Sequence, residues 1–535
     1  MICRDVLRTV ALATAIAVLA AAGTACALGP QAVRRVEMVS GQPQVEEVLQ
    51  SVRRAVRYEA VVRLPTGFSI REQAGAGGET RLTWFGTRRG ELRQGDAYGY
   101  DGLHRWQQDE RRGFATPVPL RLHEKTAWPL WVRGHWWLNP RSGIKVRLIT
   151  EESNERQVAM GLTQPDGLVE AVVFIDRATW LPARLVVPYE RGPYTAEYSD
   201  YQRTELGFLM PATTRATYRE SQTSSLVGIA PLPRGATFRR PTMPADFHFD
   251  SAAPAVVPAR LGPDFAGGLP GHTFLQAAVN GEGAGWFLFD SGSDGMQIDA
   301  AIADRLGLEV IGRTRSMGAD GRPREATIRR ARSFQVGRLT YRNPVLIAVD
   351  LSSNNAPPGE RRGGVIGYDV FARSVVEFGP GGHAAICDAS SYRLPSPGRW
   401  QVLQNHDLTP AVRTRFEGDR QALFQVDTGA AGAVDFYTEY VDAARLLEGR
   451  QTRGETTSGA GGNFEVLVGR LAWIEFGGRR FDNVDAVFRR TRSREGAAGV
   501  IGRELMKPFL IVFDYPNQRI AFIPREKLRV STGCS

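Results

Sequence analysis

Residues 285–295 read GWFLFDSGSDG, and residues 421–432 read QALFQVDTGAAG. In both, an apolar run stops at an acid, a small hydroxyl residue and a glycine. One such triplet is weak evidence. At average residue usage a chain of this length contains one by chance about one time in four, and a strand ending in an Asx-type turn explains it. The pair is stronger, because further landmarks repeat in the same order. GGVIGYDVF (363–371) follows the first stretch and AGVIGRELM (498–506) the second, so Gly367 lies 77 residues after Asp290 and Gly502 lies 75 after Asp427. Between them come glycine-rich stretches, MGADGRP (317–323) and SGAGGNF (458–464), followed by FQVGRLTYRNPVLIAV and LAWIEFGGRRFDNVDAVF. A repeat longer than about 100 residues is a pair of domains, not a solenoid. The C-terminal half must therefore fold twice, over 263–390 and 400–527.

The remainder is also rich in strand signals. At 535 residues the chain has room for roughly three domains of about 150 residues each, and its 42% apolar and 23% charged content is that of a globular protein. In QVEEVLQSVRRAV (44–56), Val45, Val48, Leu49 and Val52 recur at helical spacing and predict a helix. From residue 58 to about 220, short alternating runs such as YEAVVRL, VEAVVFI and ARLVVPY are separated by Gly, Pro, Asn and Asp, which predicts one long antiparallel sheet. AWPLWVRGHWWLNP (127–140) is dense in aromatics, which either line a groove or pack against a curved sheet. Residues 221–262, rich in Ser, Pro and Ala, read as a linker.

The N-terminus reads as an export signal spanning 1–27. Arg4 and Arg8 precede an apolar stretch, 9–22, that is short for a membrane span, and small residues follow. The GTAC at 23–26 keeps lipid attachment at Cys26 as the rival to simple cleavage. The expectation is an exported protein, periplasmic or secreted, or lipid-anchored through Cys26. Four cysteines are too few for a disulfide framework; Cys387 and Cys534 either pair in an oxidising compartment or remain thiols. No Cys or His spacing matches a zinc site, so no metal and no cofactor is expected. The formal charge of +10 comes from scattered arginines without a basic block, which reads as a solvated surface and argues against a nucleic-acid partner.

Two resemblances follow. The predicted first helix, FIDRATWLPARLVV (174–187) and YSDYQRTELGFLMPATTRATY (198–218) resemble the bacterial lipoprotein-carrier fold over about residues 40–220. That resemblance implies a half-open β-barrel with a helix in its mouth and a lipid or lipoprotein ligand in its concavity. The doubled acid-hydroxyl-glycine pattern with Val-Ile-Gly at matched distance resembles the retropepsin-like aspartic proteases in a tandem, single-chain form. The fold class implied is mainly β: an N-terminal half-barrel-like antiparallel sheet with a helix, then two acid-protease β domains forming a pseudo-two-fold pair.

The protease resemblance implies one active site made from both copies, with Asp290 and Asp427 as its acids. The chemistry explains the residue types. Two carboxyls about 3 Å apart cannot both ionise, so one keeps a proton while the other activates water. Ser291 and Thr428 match the hydroxyl position that bonds across the axis. Gly292 and Gly429 let backbone N–H groups approach the acids. Ile366, Gly367, Ile501 and Gly502 match the strand crossing beneath each loop, and Gly318, Gly321, Gly459 and Gly462 fall where the family has flaps. Three residues after each acid stand Ser293 and Ala430, a difference that breaks the symmetry. The Ser293 hydroxyl is expected to keep Asp290 ionised and leave the proton on Asp427. The short connection ASSYRLPSPGRW (389–400) allows an intrachain pair. The implied activity is hydrolysis of an extended peptide by water; the alternative is a scaffold that binds peptide or lipid without cleaving it.

Overall fold

Alternating burial is the first thing the backbone confirms: the strand Tyr58–Arg63 places Tyr58, Ala60 and Val62 inside and the residues between them outward. The computed structural model describes residues 57–88, 91–102, 105–108, 115–118, 124–139, 142–163, 170–187, 193–218, 220–242, 244–264, 271–317, 323–352, 356–406, 408–459, 462–489, 497–528 and 532–534. The predicted helix at 44–56, the export signal and Cys26 lie outside them. The chain divides after Thr242 into two units.

In the first unit thirteen strands among the described residues form one antiparallel sheet, in which chain neighbours pair successively outward to both edges from the pairing of the first strand with the last. The last strand, Glu220–Pro231, pairs with the first, Tyr58–Arg63, and with Leu209–Tyr218. The edges are Ala115–Val118 and Lys145–Ile149, and the helix Glu124–Arg133 connects them in sequence. That helix touches both Thr80–Arg88 and Pro182–Val187, six places apart in the sheet, so the sheet curls around it. Trp128, Trp131 and Trp137 are buried with Val173, Leu185 and Tyr198 in one core. The aromatic stretch is thus mainly packing against a curved sheet. It is also largely helical, which periodicity did not suggest, because Pro129 and the tryptophans obscure the helical signal. An Arg133–Glu72 ion pair is buried beside this core.

The linker reading is corrected. Residues 220–231 are a full sheet strand, and 244–262 supply two short strands of the second unit, Phe247–Phe249 and Ala259–Leu261. ESQTSSLVGIAP carries few apolar residues because most of the strand faces water, while Leu226 and Ile229 pack inward.

In the second unit each copy builds its own sheet. The first copy has a hairpin of Thr273–Val279 and Glu282–Phe289, and the crossing strand Arg362–Ile366 runs parallel to the latter, with Phe289 opposite Ile366. The second copy repeats this with Thr409–Phe416, Arg420–Val426 and the crossing strand Gly499–Ile501, with Val426 opposite Ile501. A third sheet joins the copies. Val375–Phe378 and Ala384–Cys387 come from the first copy, Phe509–Asp514 and Arg519–Pro524 from the second, and Trp400–Val402 from the connection. Val375–Phe378 pairs with Phe509–Asp514 across the pseudo-axis. Cys387 and Cys534 form a disulfide at the edge of this sheet's core, which decides between the two readings of those residues.

Candidate active site

Each acid stands at the end of an apolar strand because the crossing strand lies beside it there. Asp290 N–H donates to the Ile366 carbonyl and Asp427 N–H to the Ile501 carbonyl, both at 3.0 Å. The chain then turns sharply. Ser293 N–H bonds back to the Asp290 carbonyl at 3.3 Å, and Ala430 N–H to that of Asp427 at 3.2 Å. Gly367 and Gly502 are glycines for a steric reason. A Cβ on Gly367 would collide with Ser293 and the Gly295 carbonyl, and one on Gly502 with the Ala430 and Gly432 carbonyls.

The two turns are locked reciprocally. Ser291 Oγ donates to the Val426 carbonyl (2.8 Å) and accepts from Thr428 N–H (3.0 Å). Thr428 Oγ1 donates to the Phe289 carbonyl (2.9 Å) and accepts from Ser291 N–H (2.9 Å). Both hydroxyl residues are fully buried. Each hydroxyl spends its donor and an acceptor on the other copy, so neither turn can shift alone.

Above this lock sit the acids, both half-buried and accessible to solvent. Gly292 N–H donates to Asp290 Oδ1 (2.8 Å) and Gly429 N–H to Asp427 Oδ1 (2.7 Å). The two carboxyls face each other and interact directly, each shifting the titration of the other. A Cβ on Gly292 would overlap the Asp427 carboxyl, and one on Gly429 would lie 2.6 Å from that of Asp290. Each glycine is therefore required by the acid of the opposite copy.

The two acids sit in unequal surroundings. Burial, then the charge of Asp427 and the bond to it, push Asp290 well above the usual carboxylate range; Gly292 N–H and Arg362 pull it back. Burial also raises Asp427, but the hydrogen bond from Asp290, Gly429 N–H and Arg489 oppose the rise. Burial therefore raises both acids, and they titrate as a coupled pair in unequal surroundings. The Ser293 hydroxyl does not supply the bond to Asp290 on which that expectation was built. It bonds to the Gly295 carbonyl at 3.0 Å and closes its own turn, leaving Asp290 to the larger effect of burial.

The predicted flaps are hairpins. In the first copy Glu309–Met317 pairs with Pro323–Arg330; its tip, with Gly318 and Gly321, lies outside the described residues. In the second, Arg453–Gly459 pairs with Gly462–Phe476, and Gly459 opposite Gly462 is the last pair before the tip.

Sequence reasoning passed over three residues near the acids. Arg362 stacks on Phe274 (5.5 Å to the ring centre); burial draws it down to about 10 and the charge of Asp290 opposes that, so it is charged at neutral pH. Arg489 is anchored to Asp435 at 2.7 Å and acts on Asp427. His272 Nε2 lies 2.8 Å from the Gly429 carbonyl oxygen. None belongs to the repeated pattern, so the doubling that exposed the acids could not expose them. Among the described residues no cluster of His, Cys, Asp and Glu is arranged to hold a metal ion.

Comparison with known proteins agrees with the doubled pattern. Residues 275–370 and 412–505 each match the sequence profile of the aspartyl protease family. No curated protein is matched. Among solved structures, the chain is similar to an aspartic proteinase from Irpex lacteus at 13% identity, covering 52% of this chain and all of that one with a TM-score of 0.34. It is also similar to a putative outer membrane lipoprotein-sorting protein domain from Vibrio parahaemolyticus at 11% identity, covering 36% of this chain and 92% of that one with a TM-score of 0.25. The second unit thus carries the aspartyl protease family's pattern twice, in tandem, within one chain.

Proposed function

We propose that this protein is an exported aspartic endopeptidase whose single active site is shared by Asp290 and Asp427. The observation that carries the reading is the facing pair of acids, half-buried and set on reciprocally locked turns. A water between the carboxyls gives a proton to Asp427 as its oxygen attacks the scissile carbonyl carbon. Asp290 donates its proton to the carbonyl oxygen and so stabilises the developing charge. In the tetrahedral diol, Asp427 passes its proton to the amide nitrogen, the C–N bond breaks, and Asp290 recovers a proton from the diol hydroxyl. The substrate is an extended peptide beneath the two hairpins.

Export is supported by the charged and apolar N-terminal pattern and by the Cys387–Cys534 disulfide, which suits an oxidising compartment. Periplasmic residence, secretion and anchoring through Cys26 are separated by membrane fractionation of the native host with mass measurement of the mature N-terminus. For the first unit we propose recruitment of a lipid or lipoprotein between helix and sheet. One cavity there, lined by Tyr58, Glu79, Trp131, His135 and Trp136, measures about 30 Å³, room for water. A lipid bound to purified full-length protein is the expected finding. A protein that never retains lipid would remove this assignment.

The activity is tested by digesting a peptide library from about pH 3 to about pH 8, where dyads of this kind titrate. Cleavage blocked by a statine-type inhibitor supports the enzyme. Inhibitor or peptide binding without cleavage returns the protein to the binding-only reading.

A further inference from the structure

We propose that His272 is a positioning residue: it fixes the turn carrying Asp427 by holding the carbonyl oxygen of Gly429. The inference deepens the peptidase reading and rests on it for its kinetic consequences.

His272 immediately precedes the first strand of the first copy, Thr273–Val279, yet its bond reaches the catalytic turn of the second copy. A carbonyl oxygen only accepts, so Nε2 carries the hydrogen and the imidazole is the donor. Burial, followed by the charges of Arg362 and Arg503, holds His272 down to about 3, with the Gly429 bond opposing them. The ring is therefore neutral across the working range of an acid pair, and its bond to Gly429 persists.

Gly429 is a residue that benefits from such a hold. It cannot carry a side chain, because a Cβ would collide with the Asp290 carboxyl. Glycine also leaves the backbone at its most permissive. Rigidity at this point has to come from outside the turn. Gly429 N–H is bonded to Asp427 Oδ1 and its carbonyl to His272 Nε2, so the residue is pinned on both sides.

The hold is not duplicated by symmetry. Leu275 lies opposite Phe287 and Val412 opposite Phe424, and each of those phenylalanines stands three residues before its acid. The counterpart of His272 is therefore Thr409, which has no imidazole. The grip falls on the turn of Asp427, the acid that acts as base. A base must stay within hydrogen-bond reach of its water, and small misplacements there cost rate more than affinity.

The test compares His272→Leu, which fills the space without a donor, with His272→Gln, whose amide N–H can reach the same carbonyl. In the full chain His272→Leu is expected to lower kcat roughly 30- to 100-fold while KM stays within about twofold, and His272→Gln to recover kcat to within about fivefold of wild type. Exchange of the Gly429 amide hydrogen is expected to be about tenfold faster in His272→Leu and unchanged in His272→Gln. Unchanged kcat and exchange in His272→Leu overturn the proposal, as does a rise in KM at constant kcat. If wild type cleaves no peptide, the peptidase reading fails and exchange alone decides: selective loosening in His272→Leu upholds the grip, and its absence overturns it.

Discussion

Glycine is the most demanding residue of this site. Gly292→Ala would place a methyl group inside the Asp427 carboxyl, and Gly429→Ala would press one against that of Asp290. Either change is expected to lower kcat/KM by at least about 10³-fold, because the pair is displaced rather than weakened. Circular dichroism and steady-state kinetics together check that folding survives while activity does not. Thr428→Ala removes a donor to Phe289 and an acceptor for Ser291 N–H in a fully buried spot, and is expected to destabilise the fold by about 2–3 kcal/mol in denaturant titration. Asp290 carries a stability signature of its own. Its folded-state pKa is raised, so the fold favours its protonated form, and stability declines as pH climbs from the usual carboxylate range through the raised value. Asp290→Asn lacks that decline. It is expected to melt higher than wild type at neutral pH, with the difference vanishing toward about pH 3, where both side chains are neutral. The acids, hydroxyls and glycines were legible because the repeat displays each of them twice. His272, Arg362 and Arg489 were not, since each occurs once and acts through folding that brings distant segments together.

Strands are the scale at which the two copies become one site. The pairing of Val375–Phe378 with Phe509–Asp514 crosses the pseudo-axis, and on it sits Glu377, a fully buried carboxylate. Burial pushes Glu377 up, but donors from His383 (3.0 Å), Gly533 N–H (2.7 Å) and Tyr392 (2.7 Å) prevail and hold it below the usual range. Gly533 also accepts from Arg393 N–H at 3.0 Å, and its neighbour Cys534 is bonded to Cys387. The tail at 532–534 is therefore fastened to the shared sheet. Cys534→Ser opens a loop with a sequence separation of 147 and is expected to cost roughly 3–4 kcal/mol, measured by thermal unfolding beside the reduced wild type. Little of this was readable beforehand. Cysteine count left the pairing open, and nothing in SVVEFGPGGHAAICD (374–388) marks Glu377 as buried beneath a distant tail. Low apolar content likewise disguised the strand Glu220–Pro231 as a linker, because a solvent-facing strand needs few apolar residues.

At the scale of the molecule, duplication lets one chain build a nearly symmetric frame and an asymmetric site. The frame repeats register for register, Phe289 against Ile366 and Val426 against Ile501. The surroundings do not, with Arg362 beside Asp290, Arg489 beside Asp427 and His272 on only one turn. The two acids therefore stand in unequal surroundings on an equal frame. Activity is expected to fall at low pH as the pair takes up its second proton and at high pH as it loses its last, with burial moving the upper limb toward neutrality. The two-copy β architecture was visible in sequence because hydrophobic alternation and repetition are long-range patterns that single substitutions do not erase. The electrostatic inequality depends on burial, which no local pattern records. The most direct test is hydrolysis of one cleavable peptide by wild type, Asp290→Asn, Asp427→Asn and an equimolar mixture of the two variants. A single intrachain site requires that each variant lose at least about 10³-fold in kcat/KM and that mixing restore nothing. Cleavage that survives in either variant, or returns in the mixture, contradicts it.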